Sequence, residues 1–241
     1  MAIGVYANKK VYIGGYDRSG YVNQINMGWK NDLQDSTTVG DSTRIYTAGL
    51  NDIDFSVEGF YDPDSDDTVD KVMWDDIAGE TEISWFSSAG TANTTGYGIP
   101  ATITEYSPDL KIGSLRAFRI SAKGYGKSVR ITTLDGIVTK TSTGNGTARE
   151  LGAVSSTQKV YSFIHVVSAS GTSPTLNVTV ASDDAGGFTT PTTRITHSQF
   201  SAVGSEVKST SGAITDTYWR VTYTVGGTTP SFDVIVGVGI V

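Results

Sequence analysis

The chain has 241 residues and carries 25 acidic against 18 basic side chains, a formal net charge of −7, which argues against a basic surface built to neutralise nucleic-acid phosphates. It contains no Cys, so disulfides, thiol nucleophiles and thiolate metal sites are excluded and the fold rests on packing and backbone pairing. Hydrophobic residues make up 38% and charged residues 18%, with 28 Gly, a balance that suits strands joined by tight turns, and the length allows two ordinary domains.

The amino terminus, MAIGVYANKKVYIGGYD, lacks the basic, apolar and small-residue order of an export signal, and no apolar run approaches a membrane span. Synthesis and retention in the cytoplasm are expected, and the N-x-T sequons at Asn93, Asn145 and Asn177 are then chance matches in a Thr-rich chain.

Period-2 alternation begins at Tyr21, where Ile25, Met27 and Trp29 share one parity with it and Gln24, Asn26 and Lys30 take the other, the pattern of a half-buried strand. Between Trp29 and Ile53 lies KNDLQDSTTVGDSTRIYTAGLND, polar and poor in alternation; a connection of that length is expected to be an interaction arm. Ile53, Phe55 and Val57 then alternate with Asp52, Asp54, Ser56 and Glu58 as a second strand.

In DPDSDDTVDKVMWDDIAG the rhythm changes. Val69, Met73 and Ile77 stand at i, i+4 and i+8 behind a run of Asp, predicting one short helix with an acidic cap and Gly79 as its left-handed stop. Further strands are expected at 81–87, 99–105, 115–122 and 129–133. The stretch TKTSTGNGTARELG, 139–152, has the composition of a linker, and acidity falls away there, so a domain boundary is placed in it. Beyond it, YSFIHVVSASGTSPTLNVTV from Tyr161 parallels YWRVTYTVGGTTPSFDVIV from Tyr218. Each copy reads as a hairpin, strand, Gly-Thr-x-Pro turn and strand, and two such hairpins predict a β-sandwich.

The residues that carry chemistry elsewhere are weak here. GYGKS at 124–128 ends like a phosphate-binding loop, but a strand pattern follows it where a helix N-terminus is required, so a hairpin turn is the better reading. Asp62, Asp64 and Asp66 have the spacing of a calcium loop, yet Met73 stands where a bidentate Glu belongs, and helix capping is preferred. His165 and His197 lie in no nucleophile or metal motif, and no spacing selects a pair of carboxylates for hydrolysis. Trp29, Trp85 and Trp219 fall on the apolar parity of strands and are read as core, ahead of a sugar-stacking role shared with Trp74. No catalytic, cofactor or metal site is assigned, and the chain is read as a non-enzyme.

The order of these elements resembles the major tail-tube proteins of long-tailed, siphovirus-like bacteriophages over residues 1–138. TTVGDSTR at 37–44 and DFSVEGFYD at 54–62 carry the likeness, with KVYIGGYDRSGYVNQINMGWK before them and EISWFSS after. The resemblance implies an all-β fold: a tail-tube β-sandwich with one short helix at 1–138, then the 139–152 linker, then an appended β-sandwich decoration domain at 153–241. It further implies hexameric rings stacked into a tube for genome ejection, DNA that passes without specific binding, and partners such as tape measure and tail terminator proteins in the virion. Residues 1–10 would share in subunit contacts, and the arm residues Asp32, Leu33, Asp35, Thr37, Thr38, Val39, Asp41, Arg44 and Tyr46 would touch an adjacent ring. An acidic first domain, with Asp and Glu enriched in the lumen, would let a polyanion slide. The appended domain would serve adhesion to glycans or added stability. A carbohydrate-binding or adhesin module and a capsid decoration protein are the competing readings.

Overall fold

The computed structural model describes residues 8–60, 73, 74, 76–88, 90–109 and 111–241. Nearly all regular structure among them is β. The chain groups into two compact units: one comprises residues up to Gly20, Thr81–Pro100 and Lys127–Val241, the other Tyr21–Glu80 and Ala101–Gly126. These units are not the 1–138 and 153–241 division expected from composition.

In the first unit two strands dominate, β12 (Lys159–Asp183) and β15 (Tyr218–Ile240). They pair antiparallel along almost their whole length, from Val160↔Ile240 to Asp183↔Tyr218. The two expected hairpins therefore do not form. Each Gly-Thr-x-Pro segment interrupts a long strand instead of reversing it: the register shifts around Thr172↔Thr228, and the backbone takes positive φ at Gly171 (115°), Ser173 (48°), Gly227 (108°) and Thr229 (49°). Both copies supply the same irregularity at the same level, so the partners stay in register on either side of it.

This irregularity divides the ribbon into two layers. The first half of β12 lies between β14 (Gly204–Ser211) and the second half of β15, while its second half lies between β13 (Thr192–Thr196) and the first half of β15. Val160, Ile164, Val234 and Val236 from one layer and Leu176, Val178, Trp219, Val221 and Tyr223 from the other share one buried core, as in a sandwich. The first layer is buried on its other face too, where Phe163 and Ile235 meet Tyr12 of β1 (Lys10–Ile13), Phe86 of β5 (Glu80–Phe86) and Ile131 of β8 (Val129–Thr133). β1 pairs with β5 on one side and with the short β2 (Tyr16–Asp17) on the other.

The stretch expected as a linker is built into this unit. β9 (Val138–Lys140), β10 (Gly144–Asn145) and β11 (Arg149–Glu150) each pair with β15, because a strand that long offers an edge whose backbone groups need partners. Trp219 is fully buried there and donates its indole N–H to the Gly152 carbonyl at 2.9 Å.

Among the described residues the second unit is an antiparallel sheet in the order β3 (Val22–Asp35), β4 (Tyr46–Phe60), β7 (Ala117–Gly124) and the Ala101–Asp109 part of β6 (Thr95–Asp109). Ile53, Phe55, Val57, Ile103, Phe118, Ile120 and Ala122 are buried on one face, as alternation predicts. Of the expected helix, Met73 and Trp74 have helical backbone and the chain turns through 76–78; its start at 62–66 and Val69 lie outside the described residues. Ala78, not Gly79, takes the left-handed conformation, with φ 64°. Met73 is buried, whereas Ile77 and Trp74 are exposed. GYGKS leads from β7 into the strand β8 with no helix after it, and β7 and β8 do not pair, so it is a connection and not a hairpin turn.

Candidate assembly surface

The segment expected as an unpaired arm is largely strand. β3 and β4 run past the buried part of their sheet as a hairpin, with Asn31↔Asn51, Leu33↔Ala48, Gln34↔Thr47 and Asp35↔Tyr46 in register and a bulge on β4 opposite Asp32. Backbone pairing needs no buried face, which is why a segment without hydrophobic alternation still forms ladders. Only 36–45 connects the strands.

That tip is closed by backbone and side-chain bonds. The Ser36 N–H donates to the Ile45 carbonyl at 2.9 Å and the Asp41 N–H to the Thr38 carbonyl at 3.0 Å. Asp35 accepts the Thr37 hydroxyl at 2.5 Å and its N–H at 3.0 Å, and Asp41 accepts the Thr38 N–H at 2.7 Å and its hydroxyl at 2.9 Å. These bonds, the Thr37 hydroxyl first for Asp35 and the Thr38 N–H first for Asp41, hold both carboxyls below the usual range. The Thr37 hydroxyl oxygen in turn accepts the Ile45 N–H at 2.9 Å, and Arg44 donates to the Tyr46 hydroxyl at 3.4 Å. The sequence therefore brings Asp35, Thr37, Thr38, Asp41, Arg44 and Tyr46 together, while Asp32 stands on the ribbon, bonded by Gln34 at 2.6 Å.

The arm exposes large apolar side chains. Trp29, Leu33, Val39, Ile45, Tyr46 and Leu50 are all exposed, Leu33 by 58% and Val39 completely. Trp29 is thus a correction to its reading as core: it has the parity of Ile25 and Met27 but lies where the strand outruns the body. Since paired residues of antiparallel strands share a face, Trp29, Leu33, Ala48 and Tyr46 prolong the apolar side of the sheet into solvent. Among the described residues β3 pairs only with β4, which leaves its outer edge open.

The opposite face of this sheet is polar. Lys30 meets Asp54 at 2.9 Å, Lys123 meets Asp52 at 2.8 Å and also Asp54, and Arg119 stands 3.9 Å from Glu58. The Lys123 bond, then the Lys30 bond, keep Asp54 below the ordinary carboxylate range. At one end this face carries an open trough of about 420 Å³ lined by Asn23, Glu58, Ser107, Asp109 and Arg119 among others.

The first unit holds a constellation that sequence spacing did not reveal. The Ser162 hydroxyl donates to His197 Nε2 at 2.9 Å, and His197 Nδ1–H donates to Glu206 at 2.8 Å, the connectivity of a serine charge relay. Ser162 is fully buried on β12, which is paired on both sides, so its oxygen cannot reach a substrate. Burial opposes ionisation of Glu206, but bonds from Ser198, His197 and Lys208 outweigh it and bring the carboxyl to about 2. The relay ties β12 and β14 to the segment that follows β13. His165 is likewise structural, donating Nδ1–H to the Gly14 carbonyl at 2.6 Å and accepting the Ser84 hydroxyl at 2.7 Å. Among the described residues no group of three or more His, Cys, Asp or Glu is placed to hold a metal ion. The Asp62, Asp64 and Asp66 spacing lies outside those residues.

No protein-family model and no curated protein matches the chain. Among solved structures it is similar to a chain from the virion of a native gene transfer agent particle, at 12% identity over 51% of this chain and 95% of that one, with a TM-score of 0.38. It is similar to the SPP1 Dit protein, described as a paradigm of the hub adsorption apparatus in Gram-positive-infecting phages, at 8% identity over 97% and 99% of the two chains, with a TM-score of 0.39. A chain of the anti-feeding prophage baseplate is similar at 9% identity over 54% and 97%, with a TM-score of 0.36.

Proposed function

We propose that this chain is a non-enzymatic structural protein of a phage tail: a tube subunit that closes into hexameric rings, stacked into a conduit for genome ejection. The observation that carries the reading is the arm, a strand-paired hairpin whose large apolar side chains stand in water on an isolated chain. A ribbon that exposes Leu33, Val39, Ile45, Tyr46 and Leu50 presents the kind of apolar surface that another protein surface covers. The open edge of β3 supports ring closure, since a neighbour's strand added there satisfies its unpaired backbone groups and removes an edge that invites aggregation.

The polar face suits a passage for DNA. Lys30, Arg119 and Lys123 each face a carboxylate, so no cation in this row is left to hold a phosphate, and a polyanion slides over a hydrated, charge-paired surface. On this reading tape measure and tail terminator proteins are the tail partners in the virion.

Negative-stain electron microscopy across a concentration series tests the proposal. Rings or tubes with an axial hole are expected. A persistent monomer, unchanged when 31–46 is replaced by a short turn, sinks the assembly reading and brings glycan binding to the front.

A further inference from the structure

The second unit carries a second bare apolar feature, and topology places it opposite the first. Residues 111–116 join β6 to β7 beside the Phe60 end of β4, since Phe60 pairs with Ala117, whereas the arm leaves the sheet at the Tyr46 end of the same strand. β4 runs from Tyr46 to Phe60, so on the order of 45 Å of extended chain separates the two features. In this loop Ile112 is completely exposed and Leu115 is 77% exposed, with Lys111 and Arg116 on either side.

We infer that the apolar, basic loop 111–116 is the receptor for the arm of another copy of this chain, so that copies join head to tail along the direction of β4. The inference rests on the assembly reading above and adds the partner surface. Charge selects the occupant: the arm from Asp32 to Tyr46 holds Asp32, Asp35 and Asp41 against Arg44, and 111–116 holds two cations and no acid. Both partners also present bare apolar side chains, Leu33, Val39 and Ile45 on one and Ile112 and Leu115 on the other. Because the complementary patches lie at opposite ends of one sheet, a chain cannot satisfy itself. Each docking event leaves a free arm at one end and a free receptor at the other, the heterologous contact that propagates.

The absence of native Cys makes the test direct. Val39→Cys and Ile112→Cys are placed together in the full chain, with each single variant as a control, and oxidised under conditions where the unmodified protein assembles. The expected result is a ladder of disulfide-linked multimers in the double variant, with peptide mapping showing a 39–112 bridge and the single variants giving no ladder. A 39–112 bridge cannot form within one chain across that separation. Lys111→Glu with Arg116→Glu is expected to raise the protein concentration needed for tubes more than tenfold, with the melting temperature of the monomer unchanged. Tubes of ordinary length without a 39–112 bridge, or tubes indifferent to the charge reversal, overturn the docking but leave the assembly reading standing. An unmodified chain that stays monomeric overturns both.

Discussion

Acidification should weaken the first unit through His165, by an amount that follows from its surroundings. The ring is fully buried, stacked on Tyr12 at 5.4 Å, and fixed as the Nδ1–H tautomer by the Gly14 carbonyl, which can only accept. Burial pushes its pKa down from the ordinary value of 6.5 to about 4, with the Gly14 bond working against the shift. The unfolded chain therefore takes up a proton below about pH 6.5 that the folded chain refuses until about pH 4. Stability is fully present above the unfolded value and falls as the pH drops across that window, by about 3 kcal/mol in all. Urea unfolding from pH 7.5 to 4, in parallel on the unmodified chain and on His165→Asn, measures it. Asn retains a donor for Gly14 but cannot titrate. The variant should start less stable and lose less as the pH falls, the two curves converging by about 3 kcal/mol between pH 6.5 and 4. Parallel curves would refute the reasoning, since carboxylates and His197 contribute equally to both.

Three further outcomes are expected. Replacing Gly171 or Gly227 by Ala should each cost about 2 to 3 kcal/mol in denaturant unfolding, because φ is 115° or 108° and the new Cβ would lie 2.7 Å from a backbone oxygen of the opposite strand. Ala78→Gly should raise stability by about 1 kcal/mol in the same assay, since a left-handed conformation costs a Cβ-bearing residue about that much and Gly little. Leu33→Ser should leave the monomer's melting temperature unchanged but raise the concentration needed for assembly about tenfold, as burying the exposed part of a Leu side chain is worth about 1.4 kcal/mol.

Much of the second unit was legible because its sheet has one wet and one dry face. Ile53, Phe55 and Val57 are buried between partners that are not, and period 2 reports that directly. The same rule misled at Trp29, because parity tells which side a residue faces but not where the body beneath the strand ends. It was silent from 31 to 52, where neither side of the hairpin is covered and no alternation is imposed, so a strand-paired arm read as a loop. The candidate residues were named on resemblance and length, and the structure adds that six of them bond in three pairs near the tip, Asp35 with Thr37, Thr38 with Asp41 and Arg44 with Tyr46. The relay of Ser162, His197 and Glu206 left no trace in spacing, since its members come from separate segments of the chain and meet only after folding.

The Gly-Thr-x-Pro repeats show the limit more sharply. A Gly with positive φ followed two residues on by a second left-handed residue and then Pro serves a chain reversal or a break within a longer strand equally well, and nothing within four residues distinguishes them. The choice is made by the partner. With Gly171 opposite Thr228 and Thr229, and Gly227 opposite Thr172 and Ser173, each break leaves room for the other, and the absence of Cβ lets the backbones approach. A break in β12 alone would throw Leu176, Val178 and Val180 out of register with Val225, Tyr223 and Val221, their partners on β15, and put an apolar row in water. The repeat is therefore a matched pair whose meaning lies in the antiparallel pairing of its two copies, and neither copy carries that meaning alone.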